Sequence, residues 1–152
     1  MKRTMVTIAT LLLSGMLIAQ DYTPPKSASD AFKAKHPTAQ VDEWVDFDTE
    51  IICYFEEKEN FGTAYFTTKG VWLRTEFNLS EGELPQNILT AVRSKYKGAE
   101  IMDISNVIDS KSSVYQIFLY DEEAEKDYKI IVDKGGKIIS EEILTTEDDS
   151  FE

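Results

Sequence analysis

The chain has little of what most enzymes use for chemistry: it has one cysteine, Cys53, and one histidine, His36, among 152 residues. A lone cysteine cannot form an intramolecular disulfide, and this pair is too few for a Cys/His zinc site. The sequence has no glycine-rich phosphate loop and no serine in a nucleophile-elbow motif. His36 precedes Pro37 at a predicted helix end, where we expect a solvated or capping role and not a general base. We therefore predict no enzyme, no catalytic residue and no cofactor.

Basic residues are also scarce. The 16 lysines and arginines face 28 acidic residues, which gives a net charge of −12. Such a chain repels nucleic acid and anionic membrane surfaces, so neither is expected as a partner. One acidic cluster could bind calcium, but it lacks the glycine and the loop length of an EF-hand, so we favour a solvated strand edge and predict no metal site. The cluster comprises Asp42, Glu43, Asp46, Asp48 and Glu50.

Residues 1–19 have the three parts of a secretory signal peptide. Lys2 and Arg3 precede an apolar run that is too short for a comfortable membrane span, and Ala19 follows it. We expect cleavage after Ala19, which places the mature protein in the periplasm or outside the cell, with no membrane attachment. An uncleaved anchor stays an alternative, because Leu17 is larger than the usual residue two positions before Ala19.

Two segments of similar design follow, at residues 28–79 and 84–144, joined by a linker at residues 80–83. A repeat of this length favours a duplicated α+β unit over a solenoid. An extended lead-in at residues 20–27 precedes the first unit, and an acidic tail at residues 145–152 ends the chain. The matched residues are Ala31-Phe32 with Ala91-Val92, Lys35-His36 with Lys95-Tyr96, Tyr54 with Phe118, Gly70 with Gly136, and Glu76 with Glu142.

Each unit predicts a short amphipathic helix and then four strands. Ser27 or Ser29 can cap the first helix, and Pro85 suits the start of the second. Gly70 and Gly136 predict tight turns with a positive φ. The predicted fold is α+β, with two tandem repeats of a helix and a four-stranded antiparallel sheet and both helices on one face. The strands are predicted at 41–47, 51–56, 63–67, 71–77, 101–108, 114–120, 128–132 and 137–144.

Side chains alternate between the two faces of each predicted strand. One face is apolar enough to receive both helices, and on it we place Ile51, Cys53, Phe55, Ala64, Phe66, Val71, Leu73, Phe77, Tyr115, Ile117, Leu119, Ile130, Val132, Ile139 and Ile143. The opposite face carries an unexpected aromatic and aliphatic stripe, which is typical of a partner-binding surface. The predicted partner-binding residues are Tyr54, Tyr65, Trp72, Phe118, Ile131 and Ile138. Coverage by the tail, the lead-in or a second subunit is the alternative, and a one-residue register slip would exchange the faces.

The order of these segments resembles the PepSY-like, β-lactamase-inhibitor-like proteins secreted by Bacteroidetes-type bacteria. The resemblance spans residues 28–144, and its most specific pieces are His36-Pro37 with Trp44, Gly70-Val71-Trp72 with Glu76, and Leu84-Pro85. It implies a cell-envelope protein with a helix-plus-antiparallel-sheet repeat and no cofactor. It implies no inhibitory residue, because no segment matches a known inhibitory loop.

The expected function is a non-enzymatic periplasmic or secreted binding module, with inhibition as one form that the binding could take. Its partner would be a protein or peptide of the cell envelope that docks on the aromatic sheet face. The alternative is a structural or chaperone-like envelope component that buries this face in a homodimer.

The predicted processing can be tested directly. Mature protein recovered from the cell envelope should begin at or within a few residues of Gln20, because the apolar run ends there. Intact-mass measurement decides the start. Retention of Met1 in membrane-bound material would contradict cleavage.

Overall fold

The computed structural model describes residues 22–144. The predicted signal peptide and acidic tail therefore lie outside the described residues. Both predicted helices and all eight predicted strands are present. The elements are α1 (Lys26–Lys35), β1 (Gln40–Phe47), β2 (Glu50–Glu57), β3 (Asn60–Thr67), β4 (Trp72–Asn78), a 3-10 turn (Glu81–Glu83), α2 (Gln86–Lys95), β5 (Glu100–Asp109), β6 (Ser113–Asp121), β7 (Lys126–Asp133) and β8 (Ile138–Leu144).

All eight strands belong to one antiparallel sheet, in the order of the sequence. The α+β class and the antiparallel meander are thus confirmed. The prediction drew a separate four-stranded sheet for each unit, whereas β4 pairs with β5 from Arg74–Asp109 to Asn78–Ser105. The two sets of four strands therefore share one continuous surface on each side.

Both helices pack on the same side of this sheet. Residues opposite one another on antiparallel strands point to one side, and Thr75 lies opposite Ala64 on β3 and Ile108 on β5. A first core joins α1 to β2 and β3, and a second joins α2 to β5, β6 and β7. The fully or nearly buried apolar residues are Ala28, Phe32, Ile51, Cys53, Phe55, Ala64 and Phe66 in the first core, and Leu84, Ile88, Val92, Tyr96, Ala99, Ile104, Ile117, Leu119, Ile130 and Val132 in the second.

The face assignment was wrong for Trp72 and Ile138, because each follows a β-bulge. Tyr65 pairs with Arg74 but Phe66 pairs with Trp72, so Leu73 is an extra residue. A bulge shifts the alternation of side chains by one residue. Trp72 therefore faces α1, where it packs against the first core and its Nε1–H donates to Thr75 Oγ1 at 3.0 Å.

The last strand has the same irregularity. Ile131 pairs with Ser140 but Val132 pairs with Ile138, which leaves Ile139 as the extra residue. Ile138 consequently packs against the second core. Ile139 and Val71, which were predicted on the core face, are exposed. Ile143 is also exposed, but it pairs with Tyr128 and so lies on the predicted side of the sheet.

A second pair of bulges lies on the strand that follows each helix. The register shifts between Val41 and Glu43 on β1 and between Ile101 and Asp103 on β5. The extra residues, Asp42 and Met102, are 60 positions apart, and Leu73 and Ile139 are 66 apart, the same offsets that relate the matched residues of the sequence.

Each helix begins against a glycine turn. Gly70 and Gly136 have φ values of 81° and 88°, which confirms the predicted positive φ. Ser27 Oγ donates to the carbonyl of Lys69 at 2.8 Å, and Asn87 Nδ2 donates to the carbonyl of Lys134 at 3.0 Å. The predicted serine caps are wrong: Pro25 is the residue before α1, and the Ser27 hydroxyl bonds the turn and not the helix end.

His36 ends α1, so its predicted position at a helix end is confirmed. Its ring, however, is not solvated. Its Nδ1 lies 3.0 Å from a Glu57 carboxylate oxygen and its Nε2 lies 3.2 Å from Thr75 Oγ1. Hydrogen bonds from Thr38 and His36 lower the pKa of Glu57. This polar cluster joins the end of α1 to β2 and β4 beneath the aromatic ring of Phe32, whose centroid is 5.2 Å from the imidazole.

Cys53 is the buried small residue that the strand pattern predicted. Its side chain is inaccessible in the first core. Burial, with a smaller effect of the Asp42 charge, raises the pKa of the Cys53 thiol to about 12. The thiol is therefore protonated and unreactive in the folded protein.

The Gly70 turn allows a test of helix docking. A Cβ at Gly70 would lie 2.6 Å from the backbone nitrogen of Ala28, whereas one at Gly98, which has a φ of 84°, would meet nothing within 4 Å. Gly98→Ala should cost about 1 kcal/mol through backbone strain alone. Gly70→Ala should cost about 2 kcal/mol more, because α1 must also move. Urea titration measures both, and equal losses would contradict this close approach.

Candidate partner-binding face

The side of the sheet opposite the helices is uncovered by any described element. Registers place Tyr54 opposite Thr63, Thr63 opposite Glu76, and Glu76 opposite Val107, so this face crosses from the first half into the second. We call it the open face. Four of the six predicted partner-binding residues lie on it, while the two that follow bulges do not. The four are Tyr54, Tyr65, Phe118 and Ile131, as their registers show.

An ordered charged cluster lies at the centre of the first half. The Arg74 guanidinium stacks 3.6 Å from the centroid of the Tyr65 ring. It also donates to Glu50 at 3.0 Å and to Glu76 at 2.8 Å. Burial, then the charge of Glu76, raises the pKa of Tyr65, so its phenol stays protonated. Tyr65 is thus half-covered by Arg74 and not a free anchor.

Tyr54 is the most accessible of the four predicted residues, at 39% exposure. Two exposed aromatic residues lie on the same face and were missed: Phe61, which pairs with Glu56, and Phe47, which pairs with Glu50. Phe61 shares the parity of Tyr65, but the predicted strand began at Thr63 and omitted it. Strand β3 begins at Asn60. The parity would have placed Phe61 correctly had that strand been drawn longer.

The second half of the open face is less aromatic. Phe118 pairs with Lys129, whose ammonium lies 5.9 Å from the ring centroid. Ile131 pairs with Gln116 and Ser140. Accessible aromatic area is therefore concentrated on β1, β2 and β3.

The acidic residues of β1 do not form an ion site in the described structure. Within residues 22–144, no group of three or more histidine, cysteine or acidic side chains is placed to hold a metal ion. Glu50 instead accepts from Arg74. The open face thus offers aromatic surface and fixed charges, which suit recognition of another molecule.

No helix among the described residues is long and apolar enough to cross a membrane.

Comparison with solved structures supports the fold. The chain is similar to a BLIP-like protein from Bacteroides fragilis, with a TM-score of 0.74 and 21% identity over 86% of this chain and 93% of that one. It is similar to a DUF2874 family protein from Bacteroides ovatus, with a TM-score of 0.72 and 21% identity over 80% and 89%. It is also similar to a protein from Bacteroides eggerthii that is described as a suspected periplasmic protein, with a TM-score of 0.69 and 16% identity over 80% of this chain and 90% of that one.

The likeness confirms, at the level of the fold, the resemblance to β-lactamase-inhibitor-like proteins of Bacteroidetes-type bacteria. No family model matches the sequence. No curated protein matches it either.

The two sides of the sheet give opposite expectations for aromatic truncation. Trp72→Ala should cost about 2–4 kcal/mol of unfolding free energy, because it removes a ring packed on α1 and the Thr75 hydrogen bond. Tyr54→Ala should change stability by less than about 1 kcal/mol, since its side chain is exposed. Denaturant midpoints measure both. A stable Trp72→Ala protein would contradict the bulge assignment.

Proposed function

We propose that this protein is a non-enzymatic binding module of the periplasm or the cell exterior, which docks a protein or peptide through the open face. The observation that supports it is the exposed aromatic surface of Phe47, Tyr54 and Phe61 on the side of the sheet away from both helices. Large exposed aromatics on a rigid sheet are the residues that dominate interface energetics.

The charged cluster beside these aromatics suits specificity. Arg74 is held by Glu50, Glu76 and the Tyr65 ring, so its orientation is fixed before a partner arrives. A partner gains affinity from a group that does not have to be ordered on binding. Aromatic anchors next to this fixed cluster favour a partner surface with apolar side chains and hydrogen-bonding groups at its rim.

We also propose that the chain is an internal duplication, in which a unit of one helix and four strands occurs twice. The four bulges support it, since Asp42 corresponds to Met102 and Leu73 to Ile139. Bulges are specific local features, and a matched order in two halves of one chain is expected from duplication. The open face is then two copies of one surface, of which the first has become aromatic.

The BLIP-like neighbour makes inhibition one form that docking could take. Its identity of 21% carries the fold and not the site, so we transfer no inhibitory residue. Measuring the activity of purified β-lactamases in the presence of this protein tests directly whether it inhibits them.

The alternative is a structural or chaperone-like envelope component that buries the open face in a homodimer. The exposed Phe47 and Phe61, at 50% and 61%, favour some cover in the cell. Light scattering at micromolar concentration separates the two functions, because only the second predicts a dimer that Phe61→Ala converts to monomer.

Partner capture tests the main proposal. Tyr54→Ala with Phe61→Ala should weaken retention of an envelope partner about tenfold or more, because it removes two exposed anchors. Ile143→Ala, which also removes an exposed apolar side chain but lies on the helix side of the sheet, opposite Tyr128, is the matched control and should retain the partner. Quantitative pull-down from envelope extract measures this, and equal capture by both variants would contradict docking on the open face.

A further inference from the structure

A groove lies between α1 and the edge strand β1, on the helix side of the sheet. Its volume is about 330 Å³, and its lining includes Phe32, Lys33, Ala39, Val41 and Trp44. β1 is an end strand, and no described residue forms a strand on its outer side. The outer backbone N–H and C=O groups of β1 are therefore free to pair with an extended chain.

The other half of the molecule shows this position occupied. Strand β5 corresponds to β1, and its outer side pairs with β4. The chain that leaves β4 continues along the groove between α2 and β5. There the Leu79 N–H donates to the Ile104 carbonyl at 2.9 Å, and the Leu79 side chain packs on the second core.

A charged contact fixes the same connector. Arg93, which corresponds to Lys33, donates to both carboxylate oxygens of Glu81 at 2.9 Å. It also donates to the Ala99 carbonyl at 2.6 Å. A cleft of about 220 Å³ lined by Leu79, Glu81 and Ile104 is what remains there. The second groove thus takes a segment that pairs with β5 as far as a leucine and has a glutamate two residues later, at the start of a 3-10 turn.

The first groove has no such filling among the described residues. Tyr22, in the segment leading into α1, packs on the first core and lies beside Asp46 of β1. Within residues 22–144, no side chain fills the part of the groove lined by Phe32, Lys33 and Trp44.

We infer that the β1 groove binds an extended segment of another polypeptide as an added strand. A large aliphatic side chain of this segment lies between Phe32 and Trp44, and an acidic side chain two residues later pairs with Lys33. Main-chain pairing supplies affinity in this mode, and the side-chain pockets supply specificity. The inference rests on the proposed duplication and concerns a surface distinct from the open face.

Charge defines the rest of the ligand. Asp42, Glu43 and Asp46 of β1 are exposed, so basic residues on the flanks of the segment are favoured. A second copy of this chain is a poor occupant, because its own free edge strand, β8, carries Glu141 and Glu142. Like charges along two pairing strands oppose association.

The probe is a synthetic peptide with the sequence of residues 73–83, in which Glu76→Lys and Glu83→Lys give basic flanks and Leu79 and Glu81 are kept. This peptide has no tryptophan, and in a Trp72→Phe variant Trp44 at the groove is the sole tryptophan of the protein. We expect a saturable change in Trp44 emission in that variant. Leu79→Ala in the peptide should weaken binding about tenfold, since it removes the buried aliphatic group.

A charge exchange tests the register. Lys33→Glu in the protein should weaken the affinity for the peptide at least about fivefold. The Glu81→Lys peptide should bind this variant normally but should bind the wild-type protein weakly. Tyr54→Ala, on the open face, is the matched protein control and should bind the peptide normally. Loss of peptide binding with intact partner capture would overturn this inference alone, so it is distinguishable from failure of the proposed function.

Two results would overturn the groove assignment. Peptide binding that is indifferent to both Leu79→Ala and the charge exchange would place the peptide elsewhere. Absence of peptide binding together with a dimer in light scattering would assign the groove to a second copy of the chain. Saturable binding that follows the aliphatic residue and the charge exchange would establish it.

Discussion

The pairing of β4 with β5 is the constraint on which the rest of the structure depends. Each ten-residue helix is too short to be stable alone and is held by the sheet beneath it. The ladder from Arg74–Asp109 to Asn78–Ser105 joins the strands under α1 to those under α2. It sets both helices on one side, leaves the other side continuous, and gives β5 a neighbour that β1 does not have within residues 22–144. Loss of this ladder would expose two more strand edges and divide the open face.

Much of the fold was predictable because its signals are local. Alternation of apolar residues placed Ile51, Cys53 and Phe55 on the core side, and glycine marked the turns at Gly70 and Gly136. The bulges were not predictable in this way, since an extra residue has no sequence mark of its own. Trp72 and Ile138 were therefore assigned to the wrong face, although the other four predicted partner-binding residues lie on the open face.

The remaining errors came from contacts between residues far apart in the chain. His36 was expected in solvent because its helix end and Pro37 were the visible signals, whereas Glu57 and Thr75 are 21 and 39 residues away. The Arg74 cluster was missed for the same reason: Glu50 is 24 residues distant and meets Arg74 only through the register of three strands. In neither case do the sequence neighbours of His36 or Arg74 indicate which residues it contacts.

The position of Cys53 has a consequence for how the chain folds under oxidising conditions. The thiol is covered only when α1 lies on β2 and β3, because those elements form the core around it. Before that moment it is open to oxidation and to cross-linking with other chains, and afterwards it is protonated and enclosed. Docking of α1 therefore ends the period in which the Cys53 thiol can be oxidised. In a chain that folds its second half first, this thiol stays accessible for longer.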